Sequence, residues 1–218
     1  MSKPVLGYWD IRGLGEPIRY MLVYKQVDFV DDRFRDYSKW INVKYTQGFN
    51  FPNLPYYIDG EHRITQSLAI MRYLARKYDL SAVDEEETVR VDVVEQQLDE
   101  FRMKFLRLCY FEFDSKKEEF LKKLPQQIKL LETFIGNKTW IAGNRLTYVD
   151  FLAYETLDWL RLFQNELYSD CPNIAAYLQR FERLPNIEQY FQSKSFRRFP
   201  IFSPWAKFGG QGWDRDES

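Results

Sequence analysis

Apolar positions in the first eighty residues alternate between short continuous runs and helical stripes. "PVLGYW" (4–9) is an apolar run suited to a buried strand. Glu16-Pro17 then opens a helix, since proline is tolerated at the first helical position, and Ile18, Met21 and Leu22 follow at helical spacing. "VDFVDDRF" (27–34) reads as a second strand, with Ser38 as the cap of a short helix reaching about Thr46. Two aromatic and β-branched segments, 56–58 and 63–65, flank Asp59-Gly60, a tight-turn signal that predicts a hairpin. In "QSLAIMRYLARKY" (66–78), Leu68, Met71 and Leu74 make one stripe, widened by Ile70. The order β-α-β-α-β-β-α predicts a small α/β unit with a right-handed parallel crossover between its first two strands.

Beyond Leu80 the pattern changes. "SAVDEEET" (81–88) is polar and acidic, a linker or a helix start, and from Val89 onward the spacing is helical almost throughout. Val94, Leu98, Phe101, Phe105 and Leu108 form one stripe; Phe120, Leu121, Leu124, Ile128, Leu131 and Phe134 form another. Pro125 interrupts the second, predicting a kink or a restart there. Thr147 and Asp150 have the spacing of a capping box, with Leu146 and Phe151 placed as a hydrophobic staple. The expected division is 1–82 and 83–218, an α/β domain followed by an all-helical one.

The length of 218 residues gives ample material for real cores, and most of the 15 Tyr, 18 Phe and 6 Trp belong there. Lys+Arg at 31 against Asp+Glu at 32 leaves a formal charge of −1, which argues against a nucleic-acid footprint or a polybasic membrane anchor. The apolar runs are too short to span a bilayer, and no signal-peptide pattern opens the chain. Cys109 and Cys171 form neither a disulfide framework nor a CxxC pair, and His62 stands alone, so no metal is expected. These features predict a soluble protein of the reducing cytoplasm.

Candidate chemistry concentrates in "FPNLPYYIDGEHRITQS" (51–67). Pro55 cannot donate to a ladder, so it belongs at a strand entry or an edge. In an α/β unit of this order its loop lies beside the C-terminal end of the first strand, the end at which such sheets bind ligands. A cis Leu54-Pro55 bond would present the backbone N–H and C=O of Leu54 to an extended, peptide-like ligand. Gln66-Ser67 starts a helix whose free N–H groups favour a carboxylate.

"LGYWDIRGLGEPIRYML", "FPNLPYYIDGEHRITQSLAIMRYLARKY", "LTYVDFLAYETLD" and "RFERLPNIEQYFQS" together resemble the cytosolic glutathione S-transferases, closest to the mu class. The match runs in order through nearly the whole chain. It implies a thioredoxin-like N-terminal domain, an all-α C-terminal domain, a homodimer, and glutathione as co-substrate. Tyr8 matches the family's catalytic tyrosine. A thiol of pKa about 8.5 is only a few per cent thiolate at neutral pH, and a phenol that donates to sulfur favours the reactive anion. By the same resemblance Trp9 and Leu14 flank the thiol, Trp40 and Lys44 grip the glycine carboxylate, and Asn53 and Leu54, beside Pro55, pair with the cysteinyl backbone. Gln66 and Ser67 hold the γ-glutamyl carboxylate. The acid that the partner subunit supplies to the γ-glutamyl amine falls on Glu100, with Asp99 adjacent as the alternative. Tyr110, Phe202 and Ser203 match the hydrophobic substrate pocket, while Phe51 and Arg72 match the dimer interface.

Two departures from the mu pattern bear on the second substrate. The mu-type loop before Trp40 is shortened to "DDRFRDYSKW", and the tail "FGGQGWDRDES" runs past the usual end, with Trp213 able to fold over the pocket. The function implied is conjugation of glutathione to hydrophobic electrophiles in detoxification. The alternative is a non-catalytic, ligandin-like protein of the same fold that sequesters hydrophobic ligands. A thiol-disulfide oxidoreductase would need a cysteine at the first helix, where this chain has none.

Overall fold

The computed structural model describes residues 2–211; Trp213 and the possibility that it covers the pocket lie outside the described residues. β1 (Val5–Trp9) pairs in parallel with β2 (Val30–Phe34) and antiparallel with β3 (Tyr56–Asp59). β4 (His62–Thr65) closes the order β2-β1-β3-β4. Gly7 lies opposite Tyr56, so Pro55 comes alongside Tyr8 at the end of β1. α1 (Glu16–Tyr24) carries proline in its first turn and buries Ile18, Met21 and Leu22.

Two local expectations move by a residue or two. The cap of α2 (Tyr37–Lys44) is Asp36, whose carboxylate accepts from the Ser38 amide at 2.8 Å and the Ser38 hydroxyl at 2.7 Å. A cap must sit in extended backbone just outside the helix, as Asp36 does at φ −116° and ψ 126°; Ser38 is already inside. In the hairpin, Asp59 is the last paired residue, opposite His62, and the turn is Gly60-Glu61 with Gly60 at φ +58°. Glycine takes that conformation without a Cβ penalty. Asp59 instead faces α3 (Ser67–Lys77), where it accepts from Tyr73 at 2.9 Å and pairs with Lys77.

α4 (Glu85–Arg107) is capped by Asp84 and has three glutamates in its first turn, matching the positive end of the helix dipole. Val94, Leu98, Phe101 and Phe105 are all buried. A π-helical turn, Leu108–Glu112, leads into α5 (Phe113–Ile135). The helix does not restart at Pro125, which lies inside α5. Leu124 and Ile128 are buried on either side of it, and tertiary packing overrides the missing backbone donor. A separate irregularity, the π turn, contains Tyr110.

α6 (Tyr148–Phe163) runs through the centre of the helical half, buried on every face as far as Leu160. Both halves of the Thr147–Asp150 capping box are present, and Asp150 also accepts the Ile141 amide at 2.8 Å. α7 (Pro172–Glu182) and α8 (Pro185–Gln192) each begin on proline. After α8 the chain returns to the loop that follows β1: the amides of Arg12 and Gly13 donate to the carbonyls of Pro200 (3.1 Å) and Ile201 (2.9 Å).

Tyr57 joins the large core shared with the helices, whereas its neighbour Tyr56 joins a smaller one with Tyr8, Phe34, Trp40 and Leu54. The two halves are locked by a buried ionic knot. Arg12 binds Glu155 through two nitrogens (3.1 and 2.7 Å) and Asp158 at 2.7 Å, while Tyr20 and Trp159 also donate to Glu155. The knot anchors the β1–α1 loop directly under the candidate site.

Candidate active site

Tyr8 ends β1 with only 5% of its surface exposed. Its hydroxyl oxygen accepts the Leu14 amide at 3.0 Å, leaving the phenolic proton to be donated elsewhere. Burial pushes the phenol up to about 12, against the opposing pull of that Leu14 bond, so the proton stays on through the neutral range. The loop crowds the ring. A Cβ on Gly13, at φ +41°, would stand 2.6 Å from the hydroxyl oxygen, and one on Gly15 would stand 2.5 Å from Cδ1. Only glycine permits this approach at position 13, and the motif reading that found Tyr8 did not single Gly13 out.

Around the phenol, Leu14 is partly buried, and Trp9 stacks on Tyr37 with ring centroids 6.3 Å apart at 16°. Only two residues separate β2 from Tyr37 at the start of α2, so the short connection itself brings this ring against Trp9. Trp40 is buried and stacks on Tyr56; Lys44, one turn later, is partly buried with its ammonium over the Tyr45 ring.

The Leu54-Pro55 bond is cis, and Asn53 is exposed beside it. The Leu54 amide is satisfied by the Asn53 side-chain oxygen at 2.9 Å. A ligand pairing with that amide must displace the Asn53 carboxamide, so the two residues cannot both act as the sequence reading has them without that exchange. Gln66, at φ +75°, precedes α3 without capping it through its side chain, and no acid lies in the first turn. Ser67 begins the helix, and its N-terminal amides form an uncapped, electropositive end.

Tyr110, near enough to add to the upward push on the Tyr8 phenol, accepts the Ser203 amide at 2.8 Å, tying the π turn to the C-terminal segment. Phe202 is fully buried between Trp159 (4.8 Å), Tyr110 (5.9 Å) and Phe105 (6.0 Å), where it supports the wall from behind. Glu100 is exposed on the outer face of α4 and paired with Lys104, whereas Asp99 is partly buried and turned toward Arg102. Arg72 is held within the chain by Glu95, which also accepts from Tyr148 at 2.6 Å. Phe51 projects from its loop 75% exposed, its carbonyl held by the Thr65 hydroxyl. Tyr8, Trp9, Leu14, Leu54, Tyr110 and Ser203 thus belong to one region, while Phe51, Arg72 and Glu100 lie apart from it.

This arrangement has relatives. Residues 4–76 match the profile of the glutathione S-transferase N-terminal domain, and residues 99–194 that of the C-terminal domain. Glutathione S-transferase B of Cavia porcellus is 46% identical over 209 residues, covering 92% of this chain and 96% of its own. Glutathione S-transferase Mu 1 of Mus musculus is 45% identical over 215 residues, with 95% and 99% coverage. Among solved structures, the glutathione S-transferase Blo t 8 superposes with a TM-score of 0.89 at 34% identity, over 94% of this chain and 99% of that one. The agreement covers both halves of the molecule: the chain belongs to the glutathione S-transferase family, most like its mu class, and is an enzyme that transfers glutathione.

Proposed function

We propose that Tyr8 activates glutathione by donating a hydrogen bond from its phenol, which keeps its proton, to the sulfur, and that the thiolate attacks hydrophobic electrophiles held beside Tyr110. The carrying observation is the Tyr8 hydroxyl, which accepts from Leu14 and retains its own proton up to about 12. When the thiol ionises, its proton leaves to solvent. A carbon–sulfur bond then forms, and the leaving group departs with its electron pair. A hydrogen bond to a charged partner contributes roughly 1.5–3 kcal/mol, equivalent to about one to two units of thiol pKa.

The amides at the start of α3, with Gln66 and Ser67, suit the γ-glutamyl carboxylate. Trp40 and Lys44 suit the glycine carboxylate, the latter through its ammonium. We place the domain division at 82/83, between the last α/β helix and the cap of α4. A homodimer is supported by exposed Phe51 and by an apolar cavity of about 140 Å³ between α4 and α5, lined by Val93, Val94, Phe101, Leu130, Leu131 and Phe134. In this reading Phe51 of one copy enters that cavity in the other, which leaves Glu100 on the facing surface. Detoxification in the cytoplasm is the accompanying role.

Ultraviolet difference titration of bound glutathione tests the assignment. The wild-type thiol is expected to ionise below neutrality and, in Tyr8→Phe, to return toward about 8.5. Equal titration in both proteins, with glutathione bound, removes Tyr8 from the role.

A further inference from the structure

Among the described residues three arginines are wholly buried, and two of them are fully paired. Arg12 meets Glu155 and Asp158; Arg19 meets Glu16 and Asp31. Arg102 on α4 is the exception. Among the described residues none of its three guanidinium nitrogens has a hydrogen-bond partner. Its guanidinium lies 5.7 Å from the centre of the Trp159 ring, near the Phe202 wall.

The titratable groups that face it are Asp99 on its own helix, Glu155 on α6 and Tyr8 on β1. Neither acid accepts a bond from it, and the Glu155 oxygens are already engaged by Arg12, Tyr20 and Trp159. Burial outweighs the support these groups provide and lowers the Arg102 pKa. A guanidinium does not release its proton in proteins, so the charge persists. An unpaired buried charge is costly, and proteins rarely retain one without a counter-ion. Arg102 is also close enough to Tyr8 for its charge to act against the upward push of burial on the phenol.

We propose that Arg102 is a positioning residue for the glutathione thiolate: a buried cation, left unpaired by the protein, whose charge is met by the anion formed beside Tyr8. The proposal rests on the reading that the thiolate forms at Tyr8. The two residues divide the task. Tyr8 supplies a short-range hydrogen bond, and Arg102 supplies a field that needs no contact with sulfur and is little screened where the buried rings of Phe105, Trp159 and Phe202 back the site.

The test compares wild type, Arg102→Met, Arg102→Lys and Tyr8→Phe by titration of bound glutathione thiol, glutathione affinity and thermal unfolding. In Arg102→Met the bound thiol pKa is expected to rise by about one unit or more, the usual effect of an opposite charge nearby. Below the pKa this lowers kcat/KM roughly tenfold. Arg102→Lys recovers part of the shift. Arg102→Met unfolds at no lower temperature than wild type, because an unpaired charge has been replaced by an apolar side chain of similar length. A structural arginine would behave in the opposite way, destabilising on replacement and leaving the thiol titration unmoved. An Arg102→Met thiol that titrates like wild type overturns the proposal, as does an equal shift in the Met and Lys variants. If Arg102→Met does not fold, Arg102→Gln replaces it under the same criteria. A shift in Tyr8→Phe with none in Arg102→Met removes Arg102 alone. No shift in Tyr8→Phe removes the Tyr8 reading and leaves Arg102 to its own titration.

Discussion

Replacing Gly13 by alanine adds one methyl group at the point where the loop meets the Tyr8 hydroxyl. The new Cβ would lie 2.6 Å from the hydroxyl oxygen and 3.1 Å from Cε1. Ordinary contact begins at 3.4 Å, so the oxygen must retreat by 0.8 Å or the loop must yield. The loop is held by the Gly13 amide on the Ile201 carbonyl and by Arg12 in its ionic knot, so the phenol is the part that moves. Displacements of about 1 Å at a reacting group cost on the order of a hundredfold in rate. We expect kcat/KM to fall between tenfold and a hundredfold (estimated from the same relation), with the bound thiol pKa raised. Glutathione affinity should change little, since the proposed carboxylate contacts at Lys44, Gln66 and Ser67 are remote from the added methyl. Stability also falls by about 1–2 kcal/mol, because alanine is disfavoured at φ +41°. Gly60→Ala separates the two effects. Gly60 has a similar φ of +58° but nothing within 4 Å of its Cβ, so it should lose stability and keep full turnover. The reasoning fails if Gly13→Ala turns over as wild type does, or if Gly60→Ala loses as much activity.

Two further outcomes follow from the same structure. Phe51→Ser removes an exposed aromatic from its proposed partner cavity, so sedimentation should show dissociation into monomers at concentrations where wild type is dimeric; an unchanged dimer places the interface elsewhere. Asp158 is buried, which by itself would raise its carboxyl, yet Arg12, Arg198 and Arg161 hold it below the usual range. Its contribution is therefore present above the unfolded carboxylate pKa of about 3.9 and lost as pH falls through the lower folded value. Thermal unfolding between pH 5 and pH 3 (a window set by that relation) should show a steep loss in wild type that flattens in Asp158→Asn.

Much of the architecture was legible along the chain because it rests on local chemistry. Proline at the start of α1 and the Thr147–Asp150 box are signals read within four residues of where they act. Misreadings arose where a neighbour competed for the same role. Asp36 took the cap from Ser38 because its backbone is the extended one, and Asp59 left the turn for Tyr73 and Lys77, which only folding brings near. Of the kink or restart expected at Pro125, the restart is absent, because the buried residues on both sides of it hold one continuous helix to the core.

The sequence by itself determined the order of the elements, the placement of Tyr8 at the end of the first strand and the family resemblance. Each of these is carried by periodicity or by short motifs. Tertiary structure alone decided which way the Tyr8 hydroxyl bonds, that its proton is retained, that Phe202 supports the pocket from behind and that Arg102 is buried without a counter-charge. These properties depend on how much water each group loses and on which partners arrive from distant segments. Desolvation and charge pairing are summed over neighbours in space, and no window along the chain contains that sum.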